Sequence, residues 1–316
     1  MIRIPLASFI LAALIVLAGT PAMAKERLTV LLDWFVNPDH GPLIVAEEKG
    51  MFEAAGLEVF LIEPADPNLP PKLVAAGKAE LAISYQPQLH MLVAEGLPLV
   101  RVATLVATPL NSLVALRDGP VKAIADLKGR KVGYSIGGFE DALLGRMLES
   151  HGLTLKDVEL VNVNFALSPA LMSGQVDAVI GAFRNFELNQ LDIEKRPGRA
   201  FYPEEEGVPA YDELIVVTNR KLLKSEAIAR FVSVLEAATQ YIVNHPDEAW
   251  EAFRASAPKK LDNELNRRAW RDTVARFALR PAALDRGRYA RFGAFLQERG
   301  LIKTLPELET YAVEME

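Results

Sequence analysis

Residues 28–42 read LTVLLDWFVNPDHGP, and the interpretation of this 316-residue chain begins with them. Residues 28–32 predict a buried strand that ends at Asp33 and Trp34. A short polar loop follows, and Pro42 favours the start of a helix, because proline is tolerated in the first helical turn. In open α/β sheets, ligands bind beyond the carboxyl ends of the strands. We therefore expect a small-molecule site at this loop.

The composition argues against several classes of function. Half of the residues are hydrophobic, the formal charge is −6, and there is no cysteine. Without a dense basic face, we expect no nucleic-acid binding. Without cysteine, the chain has no disulfide, thiolate nucleophile or cysteine metal ligand. The four histidines show no metal-ligand spacing, so we expect neither a metal nor a cofactor.

The N-terminal segment, residues 1–24, has the features of a secretory signal peptide. Arg3 precedes an apolar run at residues 9–18, and Ala22-Met23-Ala24 offers a cleavage site between small residues. The apolar run is short for a membrane span. No cysteine follows it that could carry a lipid anchor. We expect a free protein in the periplasm.

Strands and helices alternate along the chain with short connections, which is typical of an α/β fold with mainly parallel sheets flanked by helices. Residues 75–83 (AAGKAELAI) and 172–180 (MSGQVDAVI) share a pattern of helix end, glycine and buried strand. Because the pattern recurs at corresponding positions of two units, it favours two similar lobes. We expect residues 25–116 and 211–316 to form lobe 1, and residues 117–210 to form lobe 2.

The two connections between the lobes are expected near Leu116–Val121 and Glu204–Tyr211, where a hinge motion would close the lobes. From Ser225 onward the pattern is helical. These helices should pack back on lobe 1, which makes that lobe discontinuous in sequence.

Several predicted strands end in residues that could face a single crevice between the lobes, which is a common place for a small-molecule site. The candidate binding residues are Asp33, Trp34, Asn37, His40, Tyr85, His90, Gly137, Gly138, Phe139, Glu140, Phe183, Asn185, Glu187 and Tyr211.

These residue types favour a flat ring that carries amino groups. Trp34, Tyr85, Phe183 and Tyr211 could sandwich a ring. Glu187 and Asp33 could accept hydrogen bonds from exocyclic amino groups, and Asn37 could bind a ring nitrogen or a carbonyl. A bulky anion would require convergent basic side chains, and only Arg184 lies near the predicted strand ends.

Each group also has a structural alternative. Trp34, Tyr85 and Phe183 could fill a core, since aromatic residues dominate protein cores. Glu187 could cap a helix or form an ion pair on the surface. His90 lies within an apolar helix pattern, so it could be an interior histidine with satisfied hydrogen bonds.

The Gly137-Gly138 turn before a helix could bind an anion through backbone N–H groups, although Glu140 and Asp141 already complement the helix dipole. No nucleophile elbow or paired-carboxylate motif is present, so binding without chemistry is the simpler interpretation.

Three segments resemble the thiamine-pyrimidine group of periplasmic-binding-type proteins. They are LLDW at residues 31–34, followed by His40, AEEKGMF (46–52) and GL (56–57); then AGKAE at 76–80; and GAFRNFE at 181–187. The resemblance covers about residues 27–260. It implies a type II periplasmic-binding-protein fold with two lobes joined by two crossovers.

The resemblance further implies a monomeric solute-binding subunit of an ABC importer. The cargo would be N-formyl-4-amino-5-aminomethyl-2-methylpyrimidine, a thiamine breakdown product, passed transiently to an inner-membrane permease. The ring would stack on Trp34 and a tyrosine, with Glu187 on its amino edge. A receptor for riboflavin, a sulfonate or another nitrogenous ring is an alternative.

The same group contains eukaryotic enzymes that make the thiamine pyrimidine from pyridoxal phosphate and their own histidine. His90 falls at the position of the donor histidine. The position of their Schiff-base lysine is Gln86, which cannot form that bond. Their cysteine-rich iron site would fall near Gly207–Glu213, where this chain has no cysteine. Synthase activity remains the alternative from a different class, and transport is the favoured interpretation.

Overall fold

The computed structural model describes residues 25–315 and contains two five-stranded sheets. The predicted signal peptide lies outside the described residues. The strands are β1 (Glu26–Leu31), β2 (Leu57–Ile62), β3 (Leu81–Ser84), β4 (Leu99–Val106), β5 (Asn111–Leu116), β6 (Lys131–Tyr134), β7 (Glu159–Asn162), β8 (Ala178–Phe183), β9 (Gly198–Phe201) and β10 (Leu214–Asn219). Sheet 1 has the order β2-β1-β3-β10-β4, and sheet 2 has the order β7-β6-β8-β5-β9.

Each sheet is mainly parallel, as the sequence predicted, with one strand running against the others. In sheet 1, β10 is antiparallel to both β3 and β4. In sheet 2, β5 is antiparallel to both β8 and β9. The chain enters sheet 2 through β5 and returns to sheet 1 through β10, so the two antiparallel strands follow the two crossovers.

The first crossover lies earlier in the chain than predicted. The sequence placed β5 (Asn111–Leu116) in lobe 1, but the strand pairs with β8 and β9 in sheet 2. The connection is therefore residues 107–110 rather than Leu116–Val121. The composition of an apolar strand does not depend on the sheet to which it belongs. Only the strands that pair with β5 show that it belongs to sheet 2. We use lobe 1 for sheet 1 with its helices and lobe 2 for sheet 2 with its helices.

Helices cover both faces of each sheet. They are α1 (Gly41–Glu48), α2 (Met51–Ala54), α3 (Pro70–Ala75), α4 (Gln86–Ala94), α5 (Phe139–Glu149), α6 (Leu167–Ser173), α7 (Glu187–Ile193), α8 (Glu226–Asn244), α9 (Pro246–Ser256), α10 (Pro258–Leu261), α11 (Glu264–Val274) and α12 (Arg286–Glu298). The sequence predicted that a helix begins near Pro42, and the structure places two helices in this segment. Gly50 divides it into α1 and α2, because its φ of +65° is left-handed.

The internal repeat occupies equivalent positions in the two sheets. Its two copies end in β3 and β8, and each of these strands is third in the order of its sheet. Gly77 and Gly174, which precede these strands, have φ angles of +70° and +77°. The repeat therefore reflects one helix–turn–strand unit used twice.

Helices α8 and α9 pack on lobe 1. Phe231 of α8 stacks on Phe52 at a centroid distance of 5.3 Å, and Phe253 of α9 belongs to the same buried cluster. Arg101 of β4 is fully buried and donates hydrogen bonds to the carbonyls of Pro281 and Val313, at 2.8 and 2.9 Å. These contacts attach the end of the chain to sheet 1. Over residues 25–315, no helix is long and apolar enough to cross a membrane.

Candidate ligand-binding site

A cavity lies between the two lobes, beyond the carboxyl ends of β1, β3 and β8. Its free volume is about 30 Å³, smaller than that of typical small-molecule sites, so a ring-sized ligand requires the lobes or the lining side chains to move apart. The predicted residues that line it are Asp33, Trp34, Asn37, Tyr85, Phe139, Glu140, Phe183 and Glu187. Trp34 belongs to lobe 1 and Glu187 to lobe 2, so the two lobes contribute to one shared cavity.

Strand ends position these side chains. Asp33 and Trp34 follow β1, Tyr85 follows β3, and Phe183 is the last residue of β8. Glu187 is the first residue of α7, one short turn beyond Phe183. Because parallel strands present their carboxyl ends at one edge of a sheet, residues that are distant in sequence meet there.

Asp33 is held by the protein on both carboxylate oxygens. The Tyr85 hydroxyl donates to Oδ2 at 2.7 Å, and His40 Nε2 lies 2.9 Å from Oδ1. The Asn37 backbone N–H donates to His40 Nδ1 at 3.3 Å, so the proton of the ring lies on Nε2 and points to Asp33. His40 is fully buried behind Asp33 and does not line the cavity, contrary to the prediction. It fixes the orientation of Asp33, which in turn fixes Tyr85.

Aromatic rings from both lobes form the apolar walls. Tyr85 of lobe 1 stacks on Phe139 of lobe 2 at a centroid distance of 5.1 Å. Phe183 meets the edge of Tyr85 at 6.4 Å, and Trp34 contacts Phe165 of lobe 2 edge-on at 4.7 Å. Such rings can hold a planar ligand by stacking or edge contacts.

Tyr211 is not one of these rings, which corrects the prediction. It is fully buried and packs against Phe292 of α12 at 5.4 Å, away from the cavity lining. The sequence indicated that Tyr211 lies near the second crossover, but it carried no information about the direction of the ring.

The polar part of the cavity is acidic. Burial raises the pKa of Glu140 and Glu187 to about 8 and the pKa of Asp39 to about 6. The Phe183 N–H donates to Glu187 Oε2 at 2.6 Å, and the Ser135 N–H donates to Glu140 Oε2 at 2.9 Å. Among the described residues that line the cavity, none is lysine or arginine. The site therefore suits a ligand that supplies hydrogen-bond donors.

The glycine turn does not form an anion site, which also differs from the prediction. The Gly137 N–H donates to Asn68 Oδ1 at 3.2 Å, and the Gly138 N–H donates to Asp141 Oδ2 at 3.1 Å. Both N–H groups are therefore occupied by protein acceptors, and neither glycine lines the cavity.

Arg184 is likewise engaged outside the cavity. Its guanidinium pairs with both carboxylate oxygens of Glu204, at 2.6 and 3.0 Å, and lies 4.1 Å from the ring centroid of Tyr202. It is not available to a ligand between the lobes.

His90 is an interior histidine, the alternative that the sequence had left open. Its ring lies among Tyr289, Phe292 and Tyr311, and its Nε2 is 3.2 Å from Gln86 Nε2. Burial lowers the pKa of His90 to about 3, so the ring is neutral. His90 does not line the cavity.

Asn185 is also outside the lining, where it connects the lobes. Its side-chain amide donates to Asp39 Oδ1 at 2.6 Å and to Thr273 Oγ1 at 2.7 Å. Asp39 and Thr273 belong to lobe 1, so Asn185 of lobe 2 bridges the cleft. The expected contact with a ligand is replaced by a contact between the lobes.

Some lining residues were missed by the sequence analysis; these are Asp39, Ile136, Leu167, Phe186 and Leu214. Asp39 and Phe186 lie inside residues 28–42 and 181–187, two segments that the sequence analysis had identified. Their position beside predicted site residues could therefore have indicated them. The aliphatic residues have the composition of any core position, and only the three-dimensional structure distinguishes them.

Comparison with solved structures supports the fold. The structure superimposes on the alkanesulfonate-binding protein SsuA from Xanthomonas axonopodis pv. citri, solved bound to MOPS, with a TM-score of 0.71. The match covers 94% of this chain and 98% of that chain at 17% sequence identity. The predicted two-lobed periplasmic-binding-protein fold is confirmed; at this identity the likeness concerns the fold alone.

Comparison of sequences identifies relatives. The chain is 56% identical over 309 residues, 98% of each chain, to a Haemophilus influenzae protein named for thiamine biosynthesis. It is 36% identical to a formylaminopyrimidine-binding protein of Halalkalibacterium halodurans over 72% of this chain and 69% of that one. It is 25% identical to a 4-amino-5-hydroxymethyl-2-methylpyrimidine phosphate synthase of Saccharomyces cerevisiae, over 81% of this chain and 78% of that one. The family described as NMT1/THI5 like matches residues 37–249, and this chain belongs to that family.

Proposed function

We propose that this protein is a periplasmic solute-binding protein that closes its lobes on a thiamine-related aminopyrimidine. The proposed cargo is N-formyl-4-amino-5-aminomethyl-2-methylpyrimidine, delivered by the monomeric protein to an ABC permease. The observation that carries the proposal is an interlobe cavity with aromatic walls and carboxyl groups that no basic lining residue neutralises. The formylaminopyrimidine-binding relative agrees with this chemistry.

The aromatic walls favour a flat ring of limited size. Tyr85 and Phe139 are stacked across the cleft, and a ring between the lobes would extend this arrangement. Binding a planar ligand there would also remove apolar ring surface from water, which is favourable.

Glu187 is proposed to bind the exocyclic amino group. The Phe183 N–H donates to Oε2 at 2.6 Å, and the other oxygen, Oε1, would accept from a donor on the ligand. The 4-amino group of the ring would supply that donor. The bond stabilises the ionised carboxylate and so offsets its desolvation.

Sulfonates fit this cavity poorly, although the fold resembles that of sulfonate-binding proteins. A sulfonate needs cationic or neutral donors, and the nearby guanidinium of Arg184 is paired with Glu204. Four buried carboxyl groups would face the anion instead.

A thermal-shift experiment tests the proposal, because a ligand that binds the folded state raises the unfolding temperature. We expect formylaminopyrimidine to raise it and alkanesulfonates and riboflavin to leave it unchanged. Stabilisation by a sulfonate or by riboflavin, with none by pyrimidines, would refute the proposed cargo.

Pyrimidine synthesis is the second candidate function, favoured by the yeast synthase relative. It would require a Schiff base with pyridoxal phosphate. Gln86 occupies the expected lysine position, and its Oε1 accepts a hydrogen bond from the Asp212 N–H at 2.8 Å. The absorbance of pyridoxal phosphate on the protein, together with a lysine adduct reducible by borohydride, would support synthesis and contradict transport.

A further inference from the structure

Asp39 lies in the first loop of lobe 1 and lines the cavity, with 1% of the residue exposed. One of its carboxylate oxygens is occupied. Asn185 Nδ2, from lobe 2, donates to Oδ1 at 2.6 Å, and Thr273 Oγ1 lies 3.0 Å from the same atom. These contacts fix the orientation of the carboxyl group.

The second oxygen, Oδ2, is buried and has no hydrogen-bond partner among residues 25–315. A buried carboxylate oxygen without a donor is unfavourable. A ligand in the cavity is the natural source of that donor, because Asp39 is one of the lining residues.

Asp39 and Glu187 act on the same cavity from opposite lobes. Burial is the main cause of the raised pKa of Glu187, and the nearby negative charge of Asp39 raises this pKa further. A ligand with a single donor group would satisfy only one of them. The pair therefore selects a ring with two separate donor groups.

We propose that Asp39 determines specificity by accepting a hydrogen bond through Oδ2 from a donor on the ring substituent next to the amino group. Glu187 binds the amino group itself, and Asn185 positions Asp39. This inference rests on the proposed function and names the ligand feature that the site requires: an N–H or O–H group on the side arm of an aminopyrimidine.

Two ligands that differ only in the side arm test this directly. Formylaminopyrimidine carries an N–H on its side arm, whereas 4-amino-2,5-dimethylpyrimidine carries only a methyl group. We expect calorimetry to show that the wild-type protein binds the first roughly 10- to 100-fold more tightly, since a buried acceptor left unpaired costs about 1–3 kcal/mol.

Asp39→Asn should abolish this preference. Asn185 donates to the atom at the Oδ1 position, so the side-chain oxygen of the new asparagine occupies that position. Its NH2 group then takes the place of Oδ2 and faces the donor of the ligand. Glu187→Gln is the comparison variant: it should weaken both ligands by a similar factor and leave the preference intact.

Asn185→Ala tests the positioning role, because Asn185 does not line the cavity. It should reduce the preference without abolishing it. Arg268→Ala is a control, since Arg268 of α11 also bridges the lobes, through Asp192 of α7 at 2.7 Å, but its ion pairs with Asp192 and Glu264 involve neither Asp39 nor Asn185. It should leave the preference unchanged.

The outcomes separate this inference from the function on which it rests. If the wild-type protein binds both pyrimidines equally, Asp39 does not read the side arm, and the inference fails while the function stands. The inference also fails if Glu187→Gln removes the preference and Asp39→Asn keeps it. If neither pyrimidine binds, the proposed function fails together with the inference. Equal binding of the two pyrimidines by the wild-type protein would overturn the inference even if a variant does not fold.

Discussion

At the scale of single residues, the cavity is defined by carboxyl groups that the folded protein leaves without cations. Glu140, Glu187 and Asp39 have pKa values raised by burial. Such groups are unfavourable in the ligand-free protein and become favourable when a ligand supplies donors. These carboxyl groups do not stabilise the folded protein without a ligand. Ligand binding therefore best explains why the cavity lining is acidic.

Replacing Glu187 with glutamine should weaken aminopyrimidine binding roughly 10- to 100-fold. The Phe183 N–H donates to the atom at the Oε2 position, so the side-chain oxygen of the new glutamine occupies that position. Its NH2 group would then face the amino group of the ligand. Calorimetric titration measures the change. Glu194→Gln, at the exposed C-terminal end of α7, is the matched control and should bind normally. Equal affinity of Glu187→Gln and wild type would remove Glu187 from the site.

The stability of the ligand-free protein should fall as the pH rises from about 7 to about 9. Glu140 and Glu187 have folded pKa values of about 8, against ordinary values of 4.5. In this range the folded protein therefore binds more protons than the unfolded chain, and raising the pH destabilises it. The slope is at most about 1.4 kcal/mol per pH unit for each group.

Urea unfolding at several pH values checks this prediction. The pKa of His90 is lowered from its ordinary value of 6.5, so this group affects stability only below about that pH. It therefore does not change the slope measured between pH 7 and pH 9. The slope should be smaller in Glu187→Gln. A stability that is flat or rises between these pH values would contradict the raised pKa values.

The cavity-lining residues that the sequence identified share one property: they lie at the carboxyl end of a strand or within a few residues beyond it. Asp33, Tyr85 and Glu187 were predictable because strand ends converge in this class of fold. His40 and Tyr211 were assigned to the cavity but point elsewhere. Side-chain direction in a loop depends on tertiary contacts, which the sequence does not encode in any local pattern.

At the scale of elements, the helix–turn–strand repeat is the unit from which both lobes are built. Gly77 and Gly174 end the helices that precede β3 and β8, both in left-handed conformations. The helices and strands themselves were predictable from periodicity. The sheet to which β5 belongs was not, because strand pairing is a long-range property.

Replacing Gly174 with alanine should lower the free energy of unfolding by about 1–2 kcal/mol, the usual cost of a left-handed conformation for a residue with a Cβ atom. No atom lies within 4 Å of the added Cβ, so the effect isolates backbone strain. Gly77→Ala should behave alike. Gly145→Ala, inside α5, is the control and should be neutral or stabilising. Chemical denaturation that shows no difference between Gly174→Ala and Gly145→Ala would contradict the assigned turn.

At the scale of the whole molecule, the lobes are in contact around the cavity. Asn68 of lobe 1 donates to the Ser135 carbonyl of lobe 2 at 3.2 Å, and Arg268 of α11 pairs with Asp192 of α7 at 2.7 Å. Between residues 25 and 315, the chain crosses between the sheets only at residues 107–110 and 202–213. This arrangement fits a hinge whose closed state is selected by the ligand.

Small-angle X-ray scattering should show a smaller radius of gyration with formylaminopyrimidine than without it. The ligand stabilises the closed state by joining Glu187 of lobe 2 to groups of lobe 1. Glu187→Gln at the same ligand concentration should remain closer to the ligand-free value. Identical scattering curves with and without a bound ligand would contradict closure by the ligand.

A crystal structure of the protein grown with formylaminopyrimidine tests the central claim most directly. We expect one ring between Trp34, Tyr85 and Phe183, with its amino nitrogen at hydrogen-bond distance, about 2.7–3.2 Å, from Glu187 Oε1. A ligand bound outside this cavity, or bound within it with no contact to Glu187, would contradict the account.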